Sequence, residues 1–210
     1  MSPGPDCPLC PRLLAFRQAQ RSAHPDWFNA PVPSFGEADA ELLIVGLAPG
    51  LKGANRTGRP FTGDFAGGLL YDMLGRFGFA EGAYEARADD GLALRRARIT
   101  NAVRCVPPRN KPEPSEIAAC RPFLAAEIGS LPRLRAILAL GAVAHHTVLA
   151  ALGLSRSAFP FVHGRFHALP GGKWLADSYH CSRYNTNTGR LTAAMFETVF
   201  AALAARLSEA

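Results

Sequence analysis

At 210 residues and 48% hydrophobic, the chain is long enough to bury one substantial core and too short to need two large domains, so one domain over residues 1–210 is expected. No stretch approaches the roughly 18 uninterrupted apolar residues of a membrane span, and the N-terminal segment lacks the basic-then-apolar order of a signal peptide; no membrane partner is expected, and the expected location is cytoplasmic, beside the nucleoid in a prokaryotic cell. The net charge of +6 with a pI near 9.4 suits polyanionic partners without naming one.

The chain opens on Cys7-Pro8-Leu9-Cys10-Pro11, a pair of cysteines two residues apart that can grip one metal centre from a tight turn. A second pair, Cys105 and Cys120, would close a four-thiolate site once the fold brings it in. Zinc and an iron-sulfur cluster both satisfy that donor set. Leu42-Leu43-Ile44-Val45-Gly46-Leu47, ended by Pro49-Gly50, reads as a strand buried on both faces and hence part of a parallel sheet. Similar runs follow at 98–106, at 134–140 before Gly141, and around 174–179. Helical spacing lies between them at 65–77, 116–128, 142–152 and 191–207. The proline-rich segment 107–114 reads as a stiff loop, and His145 and His146 read as structural. Strands alternating with helices predict a three-layer α/β/α sandwich on a mainly parallel four-stranded sheet.

In such sheets ligands bind beyond the carboxyl ends of the strands. The first exit loop, Gly46 through Asp64, carries five glycines, which let backbone approach a ligand closely; Gly46, Ala48, Pro49 and Gly50 are therefore candidate binding positions. The loop has neither the Gly-Lys-Ser/Thr ending of a phosphate-binding loop nor a Gly-x-Gly-x-x-Gly turn, so a nucleoside triphosphate is not its expected guest. Asp64 stands before a helix, where a carboxylate either caps the first turn or orients a water. Phe61 can offer a flat face to a planar base, and Asn101 lies inside the second run. His180, at the last strand exit, can donate to a carbonyl that gains charge. Its neighbour Cys181 points the other way in an extended chain, which argues against a Cys-His nucleophile pair. The polar loop Ser182-Arg183-Tyr184-Asn185 through Arg190 suits phosphate contacts and a wedge. Three segments contain no acid: 95–112 with six basic residues, 42–63 with three including Arg56 and Arg59, and 178–196 with two. Converging, they would form a positive face.

Taken together, Gly46-Leu47-Ala48-Pro49-Gly50, Arg56-Thr57-Gly58-Arg59-Pro60-Phe61-Thr62-Gly63-Asp64, Thr100-Asn101-Ala102-Val103-Arg104-Cys105, the stretch from His180 to Thr192 and the cysteine spacing resemble the uracil-DNA glycosylase superfamily, specifically its iron-sulfur type b branch, often called family 5. The resemblance implies a structural [4Fe-4S] cluster on Cys7, Cys10, Cys105 and Cys120, with zinc the lesser alternative. It also implies a mainly parallel α/β/α fold and a monofunctional enzyme that removes uracil, with hypoxanthine and ethenocytosine as further bases. DNA would be the partner, double-stranded and also single-stranded, met by a monomer.

Under that resemblance Phe61 stacks on the flipped base, Asn101 bonds its edge, His180 stabilises charge on O2, and Asp64 serves the water and the cationic sugar. Arg56, Arg59, Ser182, Arg183, Tyr184, Asn185 and Arg190 would contact DNA. Two departures stand out. Ala48-Pro49 occupies the place where many relatives carry Asn, Asp or Glu, and Cys181 stands where His-Pro-Ser is common. The competing readings are a cluster-bearing nucleic-acid-binding module without catalysis, and an enzyme of free nucleosides that would not need a positive face.

Overall fold

The computed structural model describes residues 2–208. In chain order these form α1 (Pro11–Ala23), β1 (Phe35–Gly36), β2 (Leu42–Gly46), α2 (Ala54–Thr57), α3 (Phe65–Arg76), β3 (Ala80–Glu81), β4 (Ala93–Leu94), β5 (Ala97–Asn101), α4 (Pro114–Ser130), β6 (Ala136–Leu140), α5 (Ala142–Ala151), β7 (Phe166–Ala168), β8 (Trp174–Ser178), α6 (Arg183–Asn187) and α7 (Ala193–Ser208), with a 3₁₀ turn at Pro108–Asn110. The main sheet runs β1-β5-β2-β6-β8-β7. Its four inner strands are mutually parallel, as the apolar runs predict. The sheet has six strands rather than four, because β1 and β7 add antiparallel edges of two and three residues, too short to leave a period in the sequence.

The alternation inside β2 explains the layering. Leu42 and Ile44 belong to one core cluster, with Leu70 and Leu74 of α3 and Phe196, Phe200 and Leu203 of α7. Leu43 and Val45 belong to the other, with Leu124 of α4 and Val148 of α5. Successive side chains point to opposite faces, so a strand apolar at every position must be covered on both sides. The helices supply that cover and complete three layers.

The registers place Gly46 beside Asn101 and Leu140 beside Ser178, so the parallel strands finish at one edge. The loops leaving β2, β5 and β8 therefore emerge together. α3 starts where Asp64 caps it, Oδ1 accepting from the Gly67 amide at 3.3 Å. α6 starts at Ser182, whose Oγ accepts from the Asn185 amide; the polar loop expected there is a short helix. No helix among the described residues is long and apolar enough to cross a membrane.

Candidate active site and metal centre

A cleft of about 710 Å³ opens where those loops meet. It is lined by Ala48, Pro49 and Gly50 of the first loop, by Phe61 and Asp64, by Asn101, and by His180, Ser182, Arg183 and Tyr184. Gly46 lies beneath. A Cβ there would stand 2.6 Å from Phe61 Cζ and would overlap Asn101 Oδ1, so the missing side chain is what lets the aromatic ring and the amide meet. Phe61 adopts φ +53, a left-handed conformation unusual for a bulky residue, of the kind that persists only where the surroundings over-determine it.

Two residues that line this cleft each carry a buried polar atom without a partner. Asn101 Oδ1 and His180 Nδ1 are both buried and make no hydrogen bond among the described residues. A buried polar group left unpaired costs roughly 1–3 kcal/mol, so the pair points to a polar guest. The His180 ring lies 5.8 Å from the Phe61 ring at 28°. Burial pushes the His180 pKa down to about 4, making it a neutral imidazole near pH 7 that can donate or accept a hydrogen bond without a positive charge. Cys181, the next residue, is fully buried in the core, and burial drives its thiol up to about 12; it takes no part in the cleft.

Asp64 takes the capping position expected of it. While Oδ1 caps α3, the other oxygen lies against the first loop: a Cβ on Gly50 would be 3.0 Å from Oδ2, and one on Gly53 would overlap it. Burial raises the carboxyl pKa, and the amides of Gly67 and Ala66 pull it partly back. The result is a desolvated carboxyl group with one oxygen turned to the first loop, a position suited to holding a water. Around the rim, Tyr184 is 71% and Phe65 45% exposed, with the Arg183 guanidinium 5.2 Å over the Phe65 ring. Lys52, Arg56, Arg183 and Arg190 have no carboxylate partner among the described residues. Asn185 turns inward instead, its Nδ2 donating to the His180 carbonyl at 2.8 Å, which ties α6 to the strand exit.

The four paired cysteines also converge. Cys7, Cys10, Cys105 and Cys120 wall one pocket, with Leu13 and Arg17 of α1, Val103 and Phe123. Arg12 on α1 bonds Glu116 on α4 through Nε and Nη2, at 2.8 and 2.7 Å, and holds the two halves together. Arg17 is 1% exposed. Its Nη1 donates to Cys105 Sγ at 2.8 Å and its Nη2 to the Cys7 carbonyl at 3.1 Å, while Nε has no partner among the described residues. A guanidinium buried without a carboxylate needs another source of negative charge. Thiols do not supply it, since burial and the neighbouring cysteines push Cys120 up to about 11. Thiolates on a metal centre do, so the donor set and its buried arginine fit such a group.

The family model described as the uracil DNA glycosylase superfamily matches residues 33–204. The chain belongs to this superfamily. It is 48% identical over 196 residues to the type-5 uracil-DNA glycosylase of Thermus thermophilus, covering 90% of this chain and 89% of the relative. It is 43% identical over 202 residues to that of Mycobacterium tuberculosis, at 92% and 75% coverage, and 40% identical over 191 residues to that of Pyrobaculum aerophilum, at 89% and 83%.

Set against the superfamily motifs, one expected DNA contact is misplaced. Arg59 is 4% exposed and gives both terminal nitrogens to Asp90 at 2.7 Å. Its Nε bonds Thr62 Oγ1 at 2.8 Å, and the guanidinium lies within 5.1–5.9 Å of the Phe35, Tyr71 and Tyr84 rings. It braces the turn that carries Phe61 from inside and is not available to phosphate. The positive face is also narrower than the acid-free segments suggest. Arg95 pairs with Glu81, Arg96 with Glu41, and Arg98 and Arg104 with Glu127, because acids distant in sequence fold back onto that segment.

Several supporting residues escape sequence reading altogether. Tyr71 donates to the Pro60 carbonyl at 2.7 Å and Tyr84 to that of Phe61 at 3.1 Å, and their rings stack at 4.6 Å, so the pair clamps two successive carbonyls of the strained turn. Asp177, wholly buried, meets His145 Nδ1 at 2.6 Å and His167 Nε2 at 3.0 Å and accepts from the Val162 amide at 3.2 Å. His145 Nε2 in turn bonds the Phe159 carbonyl at 2.8 Å. The structural reading of His145 is consistent with this network, which anchors the segment before β7 to β8 just ahead of His180.

Proposed function

We propose that the chain is a monofunctional uracil-DNA glycosylase, which flips uracil from DNA and hydrolyses its N-glycosidic bond to leave an abasic site. The observation that carries this reading is the pair of unpartnered polar atoms, Asn101 Oδ1 and His180 Nδ1, in a cleft walled by the face of Phe61. A uracil on that face finds stacking from Phe61, an acceptor in Asn101 for its N3–H, and a neutral imidazole beside its carbonyl oxygen.

As the bond to C1′ breaks, its electron pair moves into the base and charge gathers on O2, while the sugar becomes oxocarbenium-like. His180 donates a hydrogen bond to O2 without first having to lose a proton. In its carboxylate form Asp64 would stabilise the cation and orient the water whose oxygen bonds C1′; the proton released by that water balances the one taken up by the departing base. Ala48-Pro49 offers no side-chain donor or acceptor, so Asp64 alone carries the water. Lys52 is the lysine of the cleft, and its solvated amine is poorly suited to lyase chemistry.

Cys7, Cys10, Cys105 and Cys120 would hold a [4Fe-4S] cluster, zinc being the lesser candidate; such a cluster ties α1 to the β5 exit and α4 and balances Arg17. The substrate range is proposed to reach hypoxanthine and ethenocytosine, in double- and single-stranded DNA, with the protein acting as a cytoplasmic monomer. The test is release of uracil from a labelled duplex with one U·G mismatch. Strand cleavage only after hot alkali is expected; absence of cleavage by protein that binds the duplex would favour a non-catalytic binding module.

A further inference from the structure

Across His180 from the base cleft lies a second cavity, of about 540 Å³, that no step above uses. His180 lines both, and the Gly141 position lies close enough that a Cβ there would be 3.7 Å from His180 Cβ. Its walls include Phe161, His163, Tyr179 and Arg190, and no carboxylate lines it. Three of these side chains form a ladder. The His163 and Tyr179 rings stack at 4.8 Å with 8° between planes, and the Arg190 guanidinium lies 4.6 Å from the Tyr179 ring centre. The Tyr179 amide donates to His163 Nδ1 at 3.1 Å, which places the ring proton on Nε2 and locks the stack to the backbone. Arg190 is exposed and bonds no carboxylate among the described residues.

A rigid aromatic stack topped by an unpaired guanidinium, in an acid-free cavity, is the chemistry that receives a nucleobase with its phosphate. Arg190 on its own could be a phosphate contact, but a pre-stacked platform next to the reacting centre has the shape and charge to do more. We propose that this cavity is a second nucleotide subsite, taking the base adjacent to the flipped one on the same strand and stacking it on the Arg190–Tyr179–His163 ladder. Since the two cavities share His180 as a wall, occupancy of the second would hold the strand while the first acts. The inference rests on the glycosylase reading, because only a DNA strand threaded past His180 offers a neighbouring base there.

The probe is a duplex with one tetrahydrofuran abasic analogue and 2-aminopurine placed either 5′ or 3′ to it. The full-length protein is compared with Arg190→Gln and His163→Ala, each first checked for an unchanged melting temperature. The expected result is a change in 2-aminopurine emission at one flank only, lost in Arg190→Gln and reduced in His163→Ala, with binding about tenfold weaker in Arg190→Gln. A flank signal absent from the wild type, or equal in Arg190→Gln, would overturn the subsite. So would a variant that merely flattens the salt dependence while leaving emission unchanged, since that is an ordinary phosphate contact. Uracil release by wild-type protein alongside a silent flank defeats the subsite alone, whereas no release and no duplex binding defeats the glycosylase reading beneath it.

Discussion

Replacing Arg59 with Met separates two roles that the sequence cannot distinguish, a phosphate contact and an internal brace. In the structure Arg59 gives two bonds to Asp90 at 2.7 Å and one to Thr62, with three aromatic rings around it. Removing one member of a buried ion pair costs about 3–5 kcal/mol, because the partner charge is stranded. Asp90 keeps the amides of Glu85 and Leu92, both at 3.1 Å, which favours the lower end, about 3 kcal/mol. For a chain of this size that corresponds to a melting temperature lower by about 6–12 °C. The Phe61 turn, at φ +53, loses a principal support, so uracil release should slow even at temperatures where the variant is folded. Binding to undamaged duplex should keep its salt slope, since no phosphate contact is lost. Arg59→Met/Asp90→Asn should recover part of the stability. The pair also sets an acid limit: the Arg59 hydrogen bond holds the Asp90 carboxyl well below its usual range, so its stabilisation is present above the ordinary carboxylate pKa and lost as pH falls through the depressed value. An unchanged melting temperature together with a salt slope reduced by about 0.9 would refute the brace and restore Arg59 to the DNA face.

The Asp177 network should be as costly to break. Asp177→Asn, which leaves His145 and His167 short of an anion, should destabilise by about 3 kcal/mol in urea unfolding, and an unchanged midpoint would rule out the anchoring role. Under the cluster proposed above, Arg17→Leu should yield protein with less bound iron and sulfide and weaker visible absorbance, since the thiolates that would hold it lose their counter-charge; undiminished iron in a folded variant would mean that Arg17 is incidental. The neutral state of His180 predicts that uracil release shows no fall from loss of an imidazolium as pH rises from about 5.5 to 7.5, its pKa lying near 4. In the same sense its depressed pKa makes folding less stable as pH falls from 6.5 toward 4. A rate step near 6.5 that vanishes in His180→Gln would contradict the burial argument.

How much of this was legible beforehand depends on whether the deciding contacts are local. The β2 and β6 strands were readable because both are apolar throughout and buried on both faces, whereas β5 and β8 show only partial apolar runs because Thr100, Asn101, Asp177 and Ser178 are buried polar residues. The cleft residues were readable from their place at strand exits, and Asp64 from its place before a helix. What sequence could not give was pairing at long range. Arg59 and Asp90 are 31 positions apart, and Arg104 meets Glu127 across 23, so arginines that look free in an acid-free segment are neutralised by acids from elsewhere. The short edge strands β1 and β7 left no periodicity to read. α1 leaves little apolar signal in the sequence, since only Leu13 and Arg17 of its residues are buried, and the arginine that neighbours the four cysteines is hidden with it. The partnership of Asp177 with two histidines had no local signature, since its members lie on three separate elements.

Hydrolysis in this cleft is proposed to depend on the Asp64 carboxylate, with one oxygen on the α3 cap and the other turned to the first loop. The direct test is the single-turnover rate of uracil release against pH for wild-type protein and Asp64→Asn. The account predicts an acid limb in the wild type above the ordinary carboxylate pKa of 3.8, in the direction burial imposes, and a loss of roughly 10²-fold or more in Asp64→Asn with duplex affinity retained. A variant that releases uracil at the wild-type rate, with the same acid limb, would leave Asp64 a helix cap and the mechanism without its anion.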